Sequence, residues 1–229
     1  MKISICASIP VRSTAEALEE AGKALCRGAS IIEFRLDYAE APIDLEALAA
    51  GTPRDTPKIA TLRPIWDGGR YRGSEGDRLR ILVDAAGKGF EYVDLEAKTR
   101  GARETSDEIR RRGSMVIASH HDYEGTPSLE ELKAVLRLEE EIGDLYKIVA
   151  TAQSYRDNLR ILSLQMDIRE GKGICFAMGP YGIPSRILSP LLGAPFTYAA
   201  PSKGLNVAAG QLTVEELIHI YRLLGVWTC

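Results

Sequence analysis

Residues 3–25, ISICASIPVRSTAEALEEAGKAL, contain the unit that decides the fold. The apolar and β-branched run Ile3–Ile9 predicts a strand, and the spacing of apolar residues in Ser13–Leu25 predicts a helix. Ser13 precedes Glu16 by three residues, which is the spacing of a helix capping box. The turn between strand and helix has no glycine, whereas an open dinucleotide-binding sheet typically has a glycine-rich turn there. The stretch therefore predicts a strand–helix unit of a different parallel fold.

The same unit recurs to the end of the chain. Further strands are predicted at Ile31–Leu36, Lys58–Leu62, Tyr92–Leu95, Met115–Ser119, Leu145–Ala150, Gly173–Met178 and Pro195–Tyr198. Further helices are predicted at Leu45–Ala50, Asp77–Ala86, Glu104–Arg111, Leu129–Glu141, Tyr155–Met166, Ser185–Leu192 and Val214–Leu224. Strands and helices that alternate throughout predict a parallel sheet with right-handed crossovers. Eight such units in 229 residues predict a single-domain α/β protein, a (β/α)8 TIM barrel over residues 1–229.

The composition excludes several classes of protein. Lys and Arg number 29 against 32 Asp and Glu, which gives a net charge of -3, whereas a protein that binds duplex nucleic acid usually has a basic excess. No stretch approaches the roughly 18 consecutive apolar residues of a membrane span, and Met1–Pro10 is too short for a signal peptide. We therefore expect no nucleic-acid partner and no membrane association.

Cysteine and histidine are scarce. The four cysteines lie far apart, at Cys6, Cys26, Cys175 and Cys229. Because they lack C-x-x-C spacing, we expect buried free thiols in a reducing, cytoplasmic environment. Only three histidines are present and no H-E-x-x-H motif occurs, so we expect no metal site.

Charged residues lie toward the carboxyl ends of the second and third predicted strands. Glu33, Arg35 and Asp37 alternate with apolar residues, so all three share one face of the strand. If the apolar residues pack on helices, the three charges project into the barrel mouth, where barrel enzymes bind substrates. A structural Glu–Arg–Asp ion network is the alternative. Arg63, at the end of the third strand, is either another mouth residue or an ordinary surface arginine.

Lys147 lies among apolar residues of the sixth predicted strand. Lysine is almost never fully buried without a purpose. Burial disfavours its charged form, and neighbouring Arg35, Arg63 or Arg186 would do the same. A neutral amine attacks ketones and forms a Schiff base. Alternatively, Lys147 reaches past the strand to solvent or pairs with Glu33.

His120 and His121 end the fifth predicted strand. Adjacent strand residues face opposite ways, so at most one of the two points inward. A lone histidine at a strand end is more often structural, but a pair at the working end of a barrel favours acid–base catalysis. Arg186 follows a Gly/Pro-rich loop and is suited to bidentate capture of a carboxylate. The inventory suits metal-free covalent catalysis on a small anionic carbonyl compound.

In order along the chain, these segments resemble the type I 3-dehydroquinate dehydratases, barrel enzymes of the shikimate pathway. The resemblance covers essentially the whole chain and rests on Glu33–Asp37, Thr61–Arg63, Asp67–Gly69, Ser119–Tyr123, Lys147-Ile148, Met178-Gly179, Gly182–Arg186 and Ala208–Gln211. Each segment alone is weak, and their joint occurrence is specific. The resemblance implies a hydro-lyase of aromatic amino acid biosynthesis that converts 3-dehydroquinate to 3-dehydroshikimate without a cofactor.

The resemblance also implies a role for each matching residue. In the family, the lysine matching Lys147 forms an imine with the ring ketone. The histidine matching His121 removes a proton from the neighbouring carbon and then protonates the departing hydroxyl; His120 stands where the family commonly has tyrosine. The arginine matching Arg186 binds the substrate carboxylate. The residues that hold ring hydroxyls, and that favour the neutral amine of the lysine, match Glu33, Arg35, Arg63 and Gln211.

The chain departs from the family pattern in two loops that are candidates for a lid, Asp67–Asp77 and Pro201–Gln211. Asp67 stands where the family often has a glutamate that pairs with the catalytic histidine. Val207 stands where the family has a serine that contacts the substrate, and Ser202 is a candidate substitute.

Other functions and an assembly are also considered. A class I aldolase-like barrel would keep the Schiff-base lysine but usually has a phosphate site, for which no glycine nest is evident. A barrel that binds a small carboxylate without turnover is the second alternative. We expect a homodimer, with an apolar patch from Val214–Leu224 and Val226-Trp227 as one possible contact.

Overall fold

Eight strands and eight helices alternate in the computed structural model, which describes residues 3–227. The strands are Ile5–Pro10 (β1), Ile31–Arg35 (β2), Lys58–Thr61 (β3), Tyr92–Glu96 (β4), Met115–His121 (β5), Leu145–Thr151 (β6), Gly173–Met178 (β7) and Thr197–Ala199 (β8). The helices are Thr14–Cys26 (α1), Leu45–Gly51 (α2), Glu75–Ala86 (α3), Ala102–Arg111 (α4), Leu129–Glu140 (α5), Asp157–Asp167 (α6), Ile183–Leu188 (α7) and Val214–Leu223 (α8). Each predicted strand and helix has a counterpart, and the predicted (β/α)8 barrel is confirmed.

The barrel is closed except at one seam. The strands pair in parallel in the order β7-β6-β5-β4-β3-β2-β1-β8, and within residues 3–227 no ladder joins β7 to β8. Thr197 Oγ1 donates a hydrogen bond to the carbonyl of Arg186 at 2.9 Å, and an Arg186 guanidinium nitrogen donates to the carbonyl of Tyr198 at 3.3 Å. Side-chain bonds from α7 and β8 therefore support the seam where backbone pairing is missing.

The two faces of each strand have different surroundings. Toward the helices, Phe34 is fully buried and meets the ring of Phe90 edge to face, with centroids 6.0 Å apart. Such burial contributes roughly 1.5–3 kcal/mol per large apolar side chain. Inside the barrel an apolar cluster fills the space near the starts of the strands and includes Ile31, Ile59, Ile117 and Leu145. Charged side chains, among them Glu33, Arg63 and Lys147, lie toward the carboxyl ends of the strands, above this apolar floor.

Hydroxyl side chains begin several helices, as the spacing to a following glutamate predicts. Ser128 and Thr213 each form a complete capping box with the glutamate three residues later. Ser13 accepts a hydrogen bond from the backbone N–H of Glu16. Helix α3 begins earlier than the predicted Asp77, because Ser74 caps it and accepts a bond from the N–H of Asp77.

The cysteines are only partly as predicted. Cys6 and Cys175 are buried and free, but Cys26 is exposed, so the prediction of a buried thiol was wrong there. Cys26 is the last residue of α1 and lies at its solvent-facing end. Cys229, like the first two residues of Met1–Pro10, lies outside the described residues. None of the helices between residues 3 and 227 is both long enough and apolar enough to cross a membrane.

Replacing the N-cap Ser128 by Ala should lower the free energy of unfolding by about 0.5–2 kcal/mol, because the backbone N–H of Glu131 then loses its acceptor. Urea denaturation measures the effect, provided that the dependence of the unfolding free energy on urea concentration has the same slope in both proteins. Ser163 is the matched control, since it lies inside α6 and its hydroxyl bonds only the carbonyl of Leu159. An equal loss in Ser163→Ala and Ser128→Ala would contradict the capping role.

Candidate active site

A cavity of about 240 Å³ opens at the carboxyl ends of the strands, the end where barrel enzymes keep their chemistry. The predicted site residues that line it are Glu33, Arg35, Arg63, His121, Lys147, Arg186 and Gln211. Asp67 lies directly behind His121. Ser202 does not line the cavity. The fold thus brings together residues from almost the whole length of the chain, from Glu33 to Gln211.

Lys147 is buried, and its amine faces the cavity. Its Nζ lies 2.9 Å from Asp94 Oδ2 and 3.8 Å from Glu33 Oε1. The ring of Tyr198 lies under the amine, 4.4 Å from centroid to Nζ. The alternative in which Lys147 reaches solvent does not occur, and its nearest charged neighbour is a carboxylate rather than a predicted arginine.

Arg63 is the hub of a buried charge network. One terminal nitrogen donates to Glu96 at 2.7 Å, to Ser119 Oγ at 2.9 Å and to Asp67 at 3.1 Å. The other donates to Asp94 Oδ1 at 2.9 Å. Arg63 is only 3% exposed, so the surface alternative is wrong. The network links the carboxylate beside Lys147 to the carboxylate beside His121.

His121 forms a pair with Asp67. Its Nδ1 lies 2.9 Å from Asp67 Oδ2, and the same oxygen accepts a bond from Arg63. Burial and the charge of Arg63 lower the pKa of His121 to about 4, although Asp67 favours the imidazolium. Burial raises the pKa of Asp67, but the bond to His121 and the charge of Arg63 outweigh it and hold that pKa below its usual value. Asp67 is therefore a carboxylate that accepts a hydrogen bond from the Nδ1–H of a neutral imidazole, which leaves Nε2 unprotonated.

A short turn holds Asp67 in place. It ends at Gly68, whose φ of 71° is left-handed, a conformation that glycine adopts at little cost. A Cβ at Gly68 would lie 2.3 Å from the hydroxyl of Tyr123, which donates a hydrogen bond to the carbonyl of Asp67 at 2.8 Å. The ring of Tyr123 stacks on His121, with centroids 6.0 Å apart. The turn and the tyrosine together bring the short aspartate side chain within reach of the histidine.

The two histidines of β5 face opposite ways, as the alternation of strand residues requires. His121 lines the cavity and His120 does not. His120 is nevertheless buried, with 8% of its surface exposed. Burial lowers its pKa from the ordinary value as well, so a lowered pKa alone does not distinguish the two histidines. The position of His121 at the cavity distinguishes it from His120.

Arg186 presents an unsatisfied guanidinium to the cavity. It is 1% exposed, and its Nε and one terminal nitrogen have no hydrogen-bond partner within the described residues. The remaining nitrogen bonds the carbonyl of Tyr198, and the ring of Phe176 lies 4.2 Å from the guanidinium carbon. Burial lowers the pKa of Arg186 to about 10, which leaves it charged at neutral pH. A buried cation with free donors is costly and favours an anionic ligand.

Of the three charged residues predicted to face the barrel mouth from the second strand, only two line the cavity. Glu33 lines the cavity and accepts a hydrogen bond from Thr61 Oγ1 at 2.8 Å. Arg35 also lines it and is held by a bidentate pair with Asp37 at 2.8 and 2.9 Å. Asp37 does not project into the mouth as predicted, because β2 ends at Arg35 and Asp37 lies in the following 3-10 turn. Through the bidentate pair, Asp37 holds the guanidinium of Arg35 in position.

The loop between β8 and α8 covers one side of the cavity. Gln211 Oε1 accepts a bond from the backbone N–H of Val207 at 3.0 Å, and Gln211 Nε2 lies 3.4 Å from Ser8 Oγ. Val207 and the two alanines after it line the cavity. The carbonyl of Ser202 accepts a bond from the N–H of Leu205, in a turn at the outer part of the loop. A contact between Ser202 and a ligand would therefore require the loop to move.

The cavity and network residues that were missed from the sequence include Ser8, Asp94, Glu96 and Tyr198. The signal for two of them was present, because Asp94 and Glu96 alternate with apolar residues of β4 in the same way as Glu33 and Arg35 in β2. No comparable signal marked Ser8 or Tyr198. Within the range that the structure describes, no group of three or more His, Cys, Asp or Glu side chains is placed to hold a metal ion.

Comparison with known proteins agrees with this geometry. The family model described as "Type I 3-dehydroquinase" matches residues 5–227. A 3-dehydroquinate dehydratase of Dehalococcoides mccartyi strain BAV1 is 37% identical over 224 residues, 97% of this chain and 96% of that protein. One from Methanopyrus kandleri is 38% identical over 223 residues, 96% of this chain and 100% of that protein. The crystal structure of the Geobacillus kaustophilus 3-dehydroquinate dehydratase superposes with a TM-score of 0.87 at 23% identity, over 100% of this chain and 93% of that one. The chain belongs to the type I 3-dehydroquinase family.

Proposed function

We propose that this chain is a hydro-lyase that dehydrates 3-dehydroquinate to 3-dehydroshikimate through a Schiff base on Lys147. The observation that carries the proposal is the shared cavity. A buried amine, a neutral imidazole and a buried guanidinium with free donors all face one space. These are the groups needed to bind an anionic ketone, form an imine and move a proton.

The chemistry begins at Lys147. Lys147 Nζ passes one proton to the ketone oxygen and attacks the carbonyl carbon; a second proton then moves from the nitrogen to the same oxygen, which leaves as water and gives an iminium. The positive nitrogen withdraws electrons, so the neighbouring carbon becomes acidic. Nε2 of His121 removes a proton from that carbon, and the electron pair moves to the nitrogen to give an enamine. The enamine then expels the ring hydroxyl, which takes a proton from His121 and departs as water; hydrolysis of the imine releases the product and the free amine.

The environment of His121 suits both halves of this cycle. Asp67 accepts a hydrogen bond from Nδ1–H of His121 and so keeps the proton on that nitrogen. The nitrogen that acts as the base is therefore always Nε2. The imidazole is neutral at neutral pH because its pKa is lowered, and it can therefore accept a proton. The imidazolium that results lies beside the Asp67 carboxylate, which stabilises it until the proton is returned. Asp67 thus fills the role of the longer glutamate that many family members have.

The remaining residues bind the substrate. Arg186 would pair with the carboxylate, because its Nε and one terminal nitrogen are free and adjacent. The residues proposed to hold ring hydroxyls are Glu33, Arg35, Arg63 and Gln211. Ser202 would contribute only after closure of its loop.

A role in the shikimate pathway, a cytoplasmic location and a homodimer complete the proposal. Leu223, 75% exposed on α8, supports a dimer interface there, whereas Trp227 stacks on Tyr221 of its own chain.

Borohydride in the presence of 3-dehydroquinate should attach the reduced ligand irreversibly to Lys147, because borohydride converts an imine to a stable secondary amine. Intact-mass and peptide mass spectrometry measure the adduct. Lys147→Ala should gain no mass and show no turnover, while calorimetry still detects ligand binding. A wild-type chain that stays unmodified with saturating ligand would refute the mechanism.

Substitution His121→Ala should lower kcat by roughly 10²–10⁴-fold, the usual contribution of a positioned acid–base group. The appearance of the conjugated enone in the ultraviolet measures turnover. His120→Ala is the matched control, since that ring is buried but lies outside the cavity. If His120→Ala is the more damaging change, the assignment of the pair is wrong.

The side-chain nitrogens of His121 should keep the NMR signature of a neutral ring from pH 8 down to about 5, since its pKa lies at about 4. Asp67→Asn should lower this pKa further, because the carboxylate favours the imidazolium. The neutral ring contributes stability above the ordinary pKa of about 6.5, and that contribution is lost as pH falls toward 4. A His121 midpoint at or above 6.5 would contradict the proposed base.

A further inference from the structure

Asp94 divides its two carboxylate oxygens between different partners. Oδ1 accepts hydrogen bonds from Ser119 Oγ at 2.6 Å and from Arg63 at 2.9 Å. Oδ2 accepts from Lys147 Nζ at 2.9 Å. The side chain of Asp94 has no exposed surface. Rotation of the carboxylate would break the bonds on Oδ1, so Oδ2 is fixed toward the amine.

The charge on Asp94 is secure over the working pH range. Burial raises its pKa, but the charges of Arg63 and Lys147 outweigh burial and hold the pKa well below its usual value. Arg63 does not neutralise Asp94 by itself, because the same guanidinium also bonds Asp67 and Glu96. A net attraction for a positive charge at the position of Nζ therefore remains.

Glu33 is less well placed than Asp94 to pair with a positive charge at Lys147 Nζ. Its Oε1 lies 3.8 Å from Nζ, beyond hydrogen-bond distance, and accepts a bond from Thr61 instead. The ring of Tyr198 at 4.4 Å adds to the preference for a cation at this position. Among the carboxylates of the described residues, Asp94 alone is hydrogen-bonded to the lysine amine.

We propose that Asp94 is the counter-ion of the iminium that forms on Lys147, and that it keeps this adduct protonated. An iminium carries one N–H, which Oδ2 is placed to accept. Without a counter-ion, a buried iminium tends to lose this proton, and the neutral imine is a poor electron sink. The inference rests on the proposed Schiff-base function.

The proton balance fits a permanent ion pair. An ammonium and a ketone contain all the atoms of an iminium and water: the nitrogen gives up two protons, and the ketone oxygen leaves with both. The nitrogen keeps one hydrogen and the positive charge. The charge facing Asp94 is thus the same before and after imine formation, so no buried carboxylate is left unpaired at either stage.

Several other groups influence the same nitrogen and must stay constant in any test. The groups that interact electrostatically with Lys147 or Asp94 are Cys6, Glu33, Arg63, Asp67, Glu96, His121, Tyr123, Glu139 and Tyr198. Burial raises the pKa of Glu96 to about 7, and it raises the pKa of Glu139, which is fully buried on α5, well above the usual value. A change confined to Asp94 leaves all of these groups in place.

The test compares the pH dependence of borohydride trapping in the wild type and in Asp94→Asn, with 3-dehydroquinate at saturation. Borohydride reduces an iminium much faster than a neutral imine, so the trapping rate reports protonation of the adduct. The midpoint of the high-pH decline should move down by about 1–3 pH units in Asp94→Asn, the effect of an opposite charge in close contact. The variant's kcat should recover in part as the pH is lowered.

Ser119→Ala is the matched control, because it removes the hydrogen bond that Ser119 donates to Asp94 and the one that it accepts from Arg63, but keeps the carboxylate charge; its midpoint should stay near that of the wild type. If the wild type itself is not trapped, the proposed Schiff-base function fails. If the wild type is trapped and Asp94→Asn has the same midpoint, only the counter-ion role is overturned.

A measurement on the wild type remains if Asp94→Asn does not fold. With ¹⁵N-labelled lysine and excess 3-dehydroshikimate, the ¹⁵N shift of the adduct distinguishes a protonated from a neutral imine. An iminium signal that persists to pH 9 supports the proposal, and a neutral imine at pH 7 overturns it.

Discussion

The site depends on one buried guanidinium. Arg63 bonds Asp67, Asp94 and Glu96, and through the first two it fixes the distance between the imidazole of His121 and the amine of Lys147. Buried charges are tolerated only when their partners are present and well oriented. The arginine donates to four acceptors within 3.1 Å, so its loss would leave three buried carboxylates and one hydroxyl without this shared partner. The proposed catalytic groups are therefore held by a network rather than by separate contacts.

The same network gives the imidazole and the amine each a carboxylate of its own. Asp67 contacts His121 at Nδ1, and Asp94 contacts the amine of Lys147. Burial and the Arg63 charge nevertheless lower the pKa of His121 and leave a neutral imidazole. One buried network thus holds the imidazole and the amine at fixed positions in the same cavity.

The sequence predicted the local features of this molecule and missed most of the tertiary partnerships. Strand and helix positions follow from periodicity, and the inward orientation of His121 rather than His120 follows from alternation once a family match selects one of them. Asp94 was missed although its alternation in β4 was visible, because nothing local connects it to a lysine 53 residues later. The exposure of Cys26 and the turn that contains Asp37 depend on where elements end, which periodicity determines poorly.

The open seam of the barrel holds Arg186, the proposed anion-binding group. A continuous β7–β8 ladder would give the carbonyl of Tyr198 a backbone partner, but here that carbonyl accepts from Arg186. The bond anchors at the seam a guanidinium that lines the cavity and whose other two nitrogens have no partner among the described residues. An unpaired buried cation destabilises the empty protein, and a bound carboxylate would remove that cost. The missing backbone pairing thus fits the proposed substrate binding, because the fold leaves unsatisfied a guanidinium that an anionic ligand would complete.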